Sequence, residues 1–252
     1  MNYQHTFRVK PGSRVRLEDF DPRFATKHHG RKKAALAKIA SLQQRMDALQ
    51  FQLYAEHKRS VLICLQAPDA GGNDGVVRHV ISAMDPQGCR VVGFKQPSTE
   101  ELEHDFLWRI ERQTPRRGEI VIFNRSHYED VLVVRVHDLV PRAVWSKRYE
   151  QINDFERRLA ANDTHVLKFF LHISKEEQLE RFKDRLDDPA RRWKISEADY
   201  SERAYWTDYQ AAYEDALSKC SSHEAPWFVI PSAPTWFRAL AISPILFDPP
   251  ER

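Results

Sequence analysis

The chain has 252 residues, 30% of them charged, with a formal net charge of +3; this suffices for one domain with its own core and excludes a surface basic enough to trap polyanions everywhere. Cys64, Cys89 and Cys220 lie far apart without C-x-x-C spacing, which excludes a disulfide framework or a zinc site and points to a reduced, cytoplasmic setting. Residues 1–11 carry no apolar signal core and no apolar stretch approaches spanning length, so no membrane segment is expected.

In chain order, residues 1–27 mix Pro, Gly, Asp and basic side chains without a period, as an extended surface arm does. The basic run Lys27-His28-His29-Gly30-Arg31-Lys32-Lys33 reads as a solvated helix entrance. Over 31–55 the residues Leu36, Ile39, Leu42, Met46, Leu49 and Leu53 recur at steps of three and four, which predicts a long helix with one buried stripe. An apolar run at 61–65 then stops at a cluster of Pro, Asp, Gly and Asn, and a helical pattern resumes over 75–84 with Val77, Val80, Ile81 and Met84 inward. Strand, tight loop and helix in this order frame a phosphate-binding loop, in which small residues let backbone N–H groups close around phosphate oxygens. Where the usual pattern has Gly-Lys, this chain has Gly72-Asn73, so the cation expected at the outer phosphates is absent.

Asp85-Pro86-Gln87-Gly88 supplies a turn, a second strand follows at 89–94, and Ser98 to Glu101 forms a capping box for a helix carrying Leu102, Phe106 and Ile110. A third strand at 119–124 ends abruptly in Asn124-Arg125-Ser126-His127-Tyr128-Glu129-Asp130; strand ends of this kind build sites in open parallel sheets. A helix with Ile152, Phe155 and Leu159 precedes the longest strand, 164–173, and Ser174 caps a helix carrying Leu179, Phe182 and Leu186. The segment 181–194 holds six basic residues against three acidic ones, a charge density suited to closing over a polyanion as a mobile lid. One long helix at 196–219, a fifth strand at 226–230 and a helix from Thr235 complete the pattern. Strands separated by helices throughout predict an α/β fold: a three-layer α/β/α sandwich around a mainly parallel five-stranded sheet.

Phosphoryl transfer needs phosphates held in line and their charge neutralised by metal and cations. Loop residues 69–75 supply backbone donors, Asp69 can position Mg²⁺ or an acceptor, and 124–129 sits where a second strand end would place a metal or phosphate group. His165 and His172 lack ligand spacing and read as structural. Tyr205, Trp206, Tyr209 and Tyr213 fit either a base-stacking wall or a core, and Trp193 in the charged segment has no obvious core to enter.

Taken together, the chain resembles the family-2 polyphosphate kinases, P-loop enzymes that move phosphate between inorganic polyphosphate and nucleotides. The matching pieces include Phe94-Lys95-Gln96-Pro97-Ser98, His104-Asp105-Phe106-Leu107-Trp108-Arg109, the stretch from Ile122 to Asp130, Leu167-Lys168-Phe169-Phe170-Leu171-His172 and Arg185-Leu186-Asp187-Asp188-Pro189. The resemblance implies a P-loop kinase-like domain at 60–252 with a helical lid at about 181–200, preceded by an arm and amphipathic helix at 1–59 packed on it. It implies catalytic roles for Asp69, Arg125 and Glu129, with Asp69 and Glu129 as the Mg²⁺ contacts. Phosphate contacts fall on Ala70, Gly71, Gly72, Asn73, Asp74, Gly75, Lys95, Arg185, Arg191, Arg192 and Lys194. Three positions depart from the family's loop: Ala67 replaces Gly, Asn73 replaces Lys, and Val76 replaces Thr or Ser.

The function so implied is Mg²⁺-dependent transfer of phosphate between inorganic polyphosphate and a nucleoside mono- or diphosphate, by a homodimer or homotetramer that meets neither nucleic acid nor membrane. Two alternatives stay open. Asn73 and Val76 suit an impaired homologue that binds polyphosphate or nucleotide in a regulatory role, and the same architecture also serves ATP-dependent kinases of other small molecules.

Overall fold

The apolar runs become strands of one sheet in a computed structural model, which describes residues 1–24 and 32–247. β1 (Ser60–Gln66), β2 (Cys89–Gly93), β3 (Ile120–Asn124), β4 (Thr164–His172) and β5 (Trp227–Pro231) form a five-stranded sheet in the order β2-β3-β1-β4-β5. Every pairing is parallel. Parallel strands require crossover helices that cover both faces, which is why β1, β3, β4 and β5 are apolar without alternation. The chain leaves central β1 for the β2 edge, returns to β3, and then crosses to β4 on the other side of β1. Ligands of such sheets bind beyond the carboxyl ends of the strands at this reversal. The register pairs Leu65 with Asn124, so the segments leaving β1 and β3 emerge side by side.

The helices are α1 (Tyr3–Phe7), α2 (Lys32–Glu56), α3 (Asn73–His79), α4 (Thr99–Leu102), α5 (Trp108–Glu111), α6 (Val133–Val136), α7 (Arg142–Ala161), α8 (Lys175–Asp187), α9 (Glu197–Glu202), α10 (Trp206–Cys220) and α11 (Thr235–Phe247). On one face of the sheet Ile39 and Met46 of α2, Val76 of α3 and Ile242 and Ile245 of α11 pack with Ile63, Leu65, Ile122, Leu167 and Phe169. On the other, Ile152 of α7 and Tyr213 and Leu217 of α10 pack with Phe170 and Val229. Each fully buried side chain of this size contributes roughly 1.5–3 kcal/mol. No helix among the described residues is long and apolar enough to cross a membrane.

Several elements differ from their sequence pattern. The N-terminal segment is more than a surface arm: Phe7, Val9, Val15 and Leu17 are buried, and Val9 N–H donates to the Trp227 carbonyl at 2.9 Å. On α2 the buried line is narrower than the predicted stripe, running through Ala35, Ile39, Met46 and Gln50 while Leu36 and Leu49 face solvent. The expected helix through Leu102, Phe106 and Ile110 divides into α4 and α5, because the Asp105 carboxylate accepts from Leu107 N–H at 2.9 Å and starts a new turn. The expected helix at 75–84 stops at His79, and a 3-10 turn (Ile81–Ala83) keeps Val80 and Ile81 directed inward. The long helix expected at 196–219 is broken by a 3-10 turn at Arg203–Tyr205, where Arg203 Nη1 donates to the Lys175 carbonyl and to Gln178 Oε1. Five residues of the basic run, 27–31, lie outside the described residues.

Candidate active site

The loop between β1 and α3, residues 67–72, turns on a bond from Gly71 N–H to the Pro68 carbonyl at 2.8 Å. A Cβ at Gly71 would stand 2.4 Å from Ala67 Cβ, and Gly72 has φ +116°; neither position accepts a side chain without displacement or strain. Ala67 itself is not among the positive-φ residues, whereas Ala70 is, with φ 59°. Two arginines grip the loop from behind, Arg238 buried and Arg181 half-buried. Arg181 of α8 donates to the carbonyls of Ala70 at 2.8 Å and Gly71 at 3.0 Å, and Arg238 of α11 donates to Gly71 at 3.3 Å. Because a trans peptide points its C=O and N–H in opposite directions, the Gly72 N–H is turned away from the arginines.

The loop borders a cavity of about 340 Å³ lined by 67–74, Asn124, Arg125, Arg185, Trp193, Lys194 and Asp199. Asn73 lies on its wall with its side chain turned back, Nδ2 donating to the Leu65 carbonyl at 3.4 Å, the weak end of hydrogen-bond range. Val76, expected near the helix entrance, is buried in the core beneath.

The segment leaving β3 supplies the opposite wall. Arg125 adopts φ 62°, a left-handed conformation that costs about 1–2 kcal/mol in a non-glycine residue. The turn is held by Arg125 N–H donating to the Leu65 carbonyl at 3.1 Å. The guanidinium then donates through Nη2 to Asp69 Oδ1 at 2.6 Å and stands 4.0 Å from Glu129 Oε2. Glu129 Oε1 also accepts from Gln66 Nε2 at 3.1 Å. Burial pushes the Asp69 and Glu129 carboxyls above the usual carboxylate range, with Arg125 opposing the rise at each.

A second, smaller cavity of about 50 Å³ shares Ala67, Pro68, Asp69 and Arg125 with the first, and its lining includes Glu129, Gln178, Glu202, Arg203, Trp206, Tyr209 and Tyr213. On the aromatic helix Tyr213 belongs to the core, and Trp206, Tyr209 and Tyr213 line this cavity. Asp69 and Arg125 belong to both cavities at once.

The charged segment after α8 closes over the first cavity at one point. Lys194 Nζ donates to Asp74 Oδ2 at 2.6 Å, and Arg185 Nη1 donates to the Lys194 carbonyl at 3.1 Å. The Lys194 hydrogen bond holds the Asp74 carboxyl below its ordinary range. Arg191 and Arg192 are not brought to the cavity: Arg191 pairs with Asp188 at 2.7 Å, and Arg192 Nε donates to the Leu186 carbonyl at 2.6 Å. Lys95 is exposed past the end of β2, away from the lining of either cavity. Trp193 is 78% exposed, with Lys194 Nζ 5.1 Å from its ring centre.

Sequence reasoning missed the residues that hold these walls. Behind Arg125 and Glu129, the 3-10 helix His127–Val131 is anchored by a buried network. Tyr128 OH donates to Glu156 Oε1 and accepts from Lys168 Nζ, both at 2.9 Å, His127 Nε2 lies 3.1 Å from the same carboxylate, and Lys168 is ion-paired to Glu156. Lys168 inside an apolar strand was the readable signal, because a fully buried lysine requires an anionic partner. His172 is structural as expected, Nε2 donating to the Phe20 carbonyl at 3.0 Å.

Comparison with known proteins fits this geometry. The model of the family "Polyphosphate kinase 2 (PPK2)" matches residues 29–250. The AMP/ADP-polyphosphate phosphotransferase of Meiothermus ruber is 51% identical over 96% of this chain and 91% of its own. The ADP-polyphosphate phosphotransferase of Rhodopseudomonas palustris is 44% identical over 96% of this chain and 88% of its own. The crystal structure of polyphosphate kinase 2 from Arthrobacter aurescens TC1 superposes with a TM-score of 0.94 at 43% identity, covering 98% of this chain and 88% of that one.

Proposed function

The chain belongs to the polyphosphate kinase 2 family, and from that premise we propose that it transfers phosphate between inorganic polyphosphate and a nucleoside mono- or diphosphate with Mg²⁺. The observation that carries this reading is the Asp69–Arg125 pair at 2.6 Å on the wall shared by the two cavities. Polyphosphate lies in the larger cavity against the loop, Arg185 and Lys194, and the nucleotide brings its terminal phosphate to Arg125 from the side of the smaller one, toward Trp206 and Tyr209. A terminal phosphate from each side then meets at Arg125. One P–O bond breaks at the chain end as another forms to the acceptor phosphate oxygen, and Arg125 neutralises charge on the oxygens between them.

The carboxylates suit a magnesium ion. Mg²⁺ is bound by one or two carboxylates together with substrate phosphates. Asp69 and Glu129 set two carboxylates around a single cation, Arg125, and burial raises both carboxyl pKa values, a rise that a bound cation would oppose. When bound, the ion neutralises phosphate charge; the chain's own part is to hold the carboxylates, through Gln66 at Glu129 and Arg125 at Asp69.

The experiment is incubation of the protein with polyphosphate, Mg²⁺ and AMP, ADP, GMP or GDP. Formation of the next higher nucleotide is expected, with adenine acceptors first in view of the relatives' names; absence of turnover with all four rejects the reading. The neutral Asn73, turned back toward Leu65, favours a second reading, a homologue that binds without turning over, and calorimetric binding with no product would support it. A cytoplasmic homodimer or homotetramer completes the proposal, with light scattering as the test of assembly.

A further inference from the structure

We propose that Arg238 is the cation that serves the phosphate loop in place of the lysine missing at position 73. It acts as a positioning residue, fixing the backbone at 71–75 from behind and setting an unneutralised charge beneath the bound phosphate. This inference rests on the phosphate-binding reading of the loop.

The fit of Arg238 to the loop is built from both sides. Its side chain comes from α11 and is 3% exposed. A Cβ at Gly72 would stand 1.8 Å from its Nη1, and a Cβ at Gly75 would stand 2.2 Å from its Nη2. The guanidinium therefore occupies the space that side chains at positions 72 and 75 would need. Being buried, it has nowhere to retreat.

Its charge is unanswered. Among the described residues the Arg238 side chain makes one hydrogen bond, to the Gly71 carbonyl, and no ion pair. Arg181 beside it is different, since Glu177 lies 2.9 Å from its Nε. The charged residue that most affects Arg238 is Arg181, another cation, and burial together with that neighbour lowers the Arg238 pKa to about 10. A buried guanidinium with a neutral partner alone is costly. The cost is offset if an anion arrives close by, and the Gly71–Gly72 peptide that Arg238 grips lies in the wall of the cavity. Arg238 does not line that cavity, so its charge reaches the phosphate through the thickness of the loop, where little water screens it. Asn73, turned back toward Leu65, supplies no charge to the loop.

A double-mutant cycle on the full chain separates this role from simple packing. Native protein, Arg238→Met, Asn73→Lys and the double variant are titrated with tripolyphosphate by calorimetry, assayed for the KM of polyphosphate, and melted in parallel. Arg238→Met is expected to weaken tripolyphosphate binding roughly tenfold or more, the scale of one charge-assisted contact. Asn73→Lys should recover most of that loss in the Arg238→Met background and gain clearly less in the native one. The same fold-change in both backgrounds overturns the proposal. If Arg238→Met does not fold, Arg238→Lys is compared with Arg238→Gln: tighter binding by the lysine variant supports the charge role, and equal binding overturns it. A native protein that binds no tripolyphosphate sinks the phosphate reading itself, whereas binding with additive effects sinks this inference alone.

Discussion

Asp69 and Arg125 leave the ends of two different strands and meet at 2.6 Å. The contact follows from the parallel register of Leu65 with Asn124, which brings the two strand ends together, and from the left-handed backbone at Arg125, which turns its side chain back over β1. With Glu129 at 4.0 Å on the other side, Arg125 stands between the two carboxylates and lines both cavities.

Arg125→Met should therefore act on the transferring phosphate more than on either bound substrate. We expect kcat to fall about 10²–10³-fold, as loss of a single transition-state donor does, with smaller changes in KM for polyphosphate and nucleotide. Steady-state kinetics varying each substrate in turn checks the split.

Lys194 closes the charged segment onto Asp74 at 2.6 Å. As the Asp74 side chain is 66% exposed, their ion pair should add little to stability, at most about 1 kcal/mol. Lys194→Ala is expected to raise the KM for polyphosphate severalfold and leave the melting temperature nearly unchanged. A melting temperature that falls sharply would show the segment to be structural instead.

The ion pair of Glu156 and Lys168 has the opposite character, with side chains 2% and 0% exposed. Burial raises the Glu156 carboxyl and Lys168 lowers it, the net direction being downward, so it stays charged in the core. Lys168→Met leaves that carboxylate uncompensated beneath Tyr128, and about 3–5 kcal/mol of stability should be lost. Urea unfolding measures it, and replacing both partners by apolar residues should recover a large part.

Acid should loosen the attachment of the N-terminal segment. Burial lowers His172 from its ordinary 6.5 to about 4, with the Phe20 carbonyl opposing. A depressed pKa means the unfolded chain binds more protons between the two values, so this group's contribution is complete above about 6.5 and is lost as pH falls toward 4. The integrated loss is about 3 kcal/mol. Melting curves from pH 7 to 4.5 should show the decline, and His172→Gln should flatten it.

The sheet was legible because each buried parallel strand is an apolar run that stops at polar residues, and the same stops located the segments at 67–72 and 125–129. The broken helices were not legible. Asp105 and Arg203 end them by bonding to particular partners, and periodicity carries no trace of that. Asn73 was visible as an absence, but its turn toward Leu65 depends on a carbonyl shared with Arg125. Arg238 was invisible for a simpler reason: it meets Gly71 across 167 positions of sequence, and the sign of its presence, two glycines at 72 and 75, reads equally well as ordinary loop chemistry.

The most direct measurement is phosphorus NMR of the native protein with polyphosphate, Mg²⁺ and ADP, run beside Asn73→Lys. ATP signals are expected to grow as chain-end signals change in the native sample, and Asn73→Lys to increase the rate without altering the product. No nucleotide product from either protein, with AMP, GMP and GDP tried in turn, would contradict the proposed function.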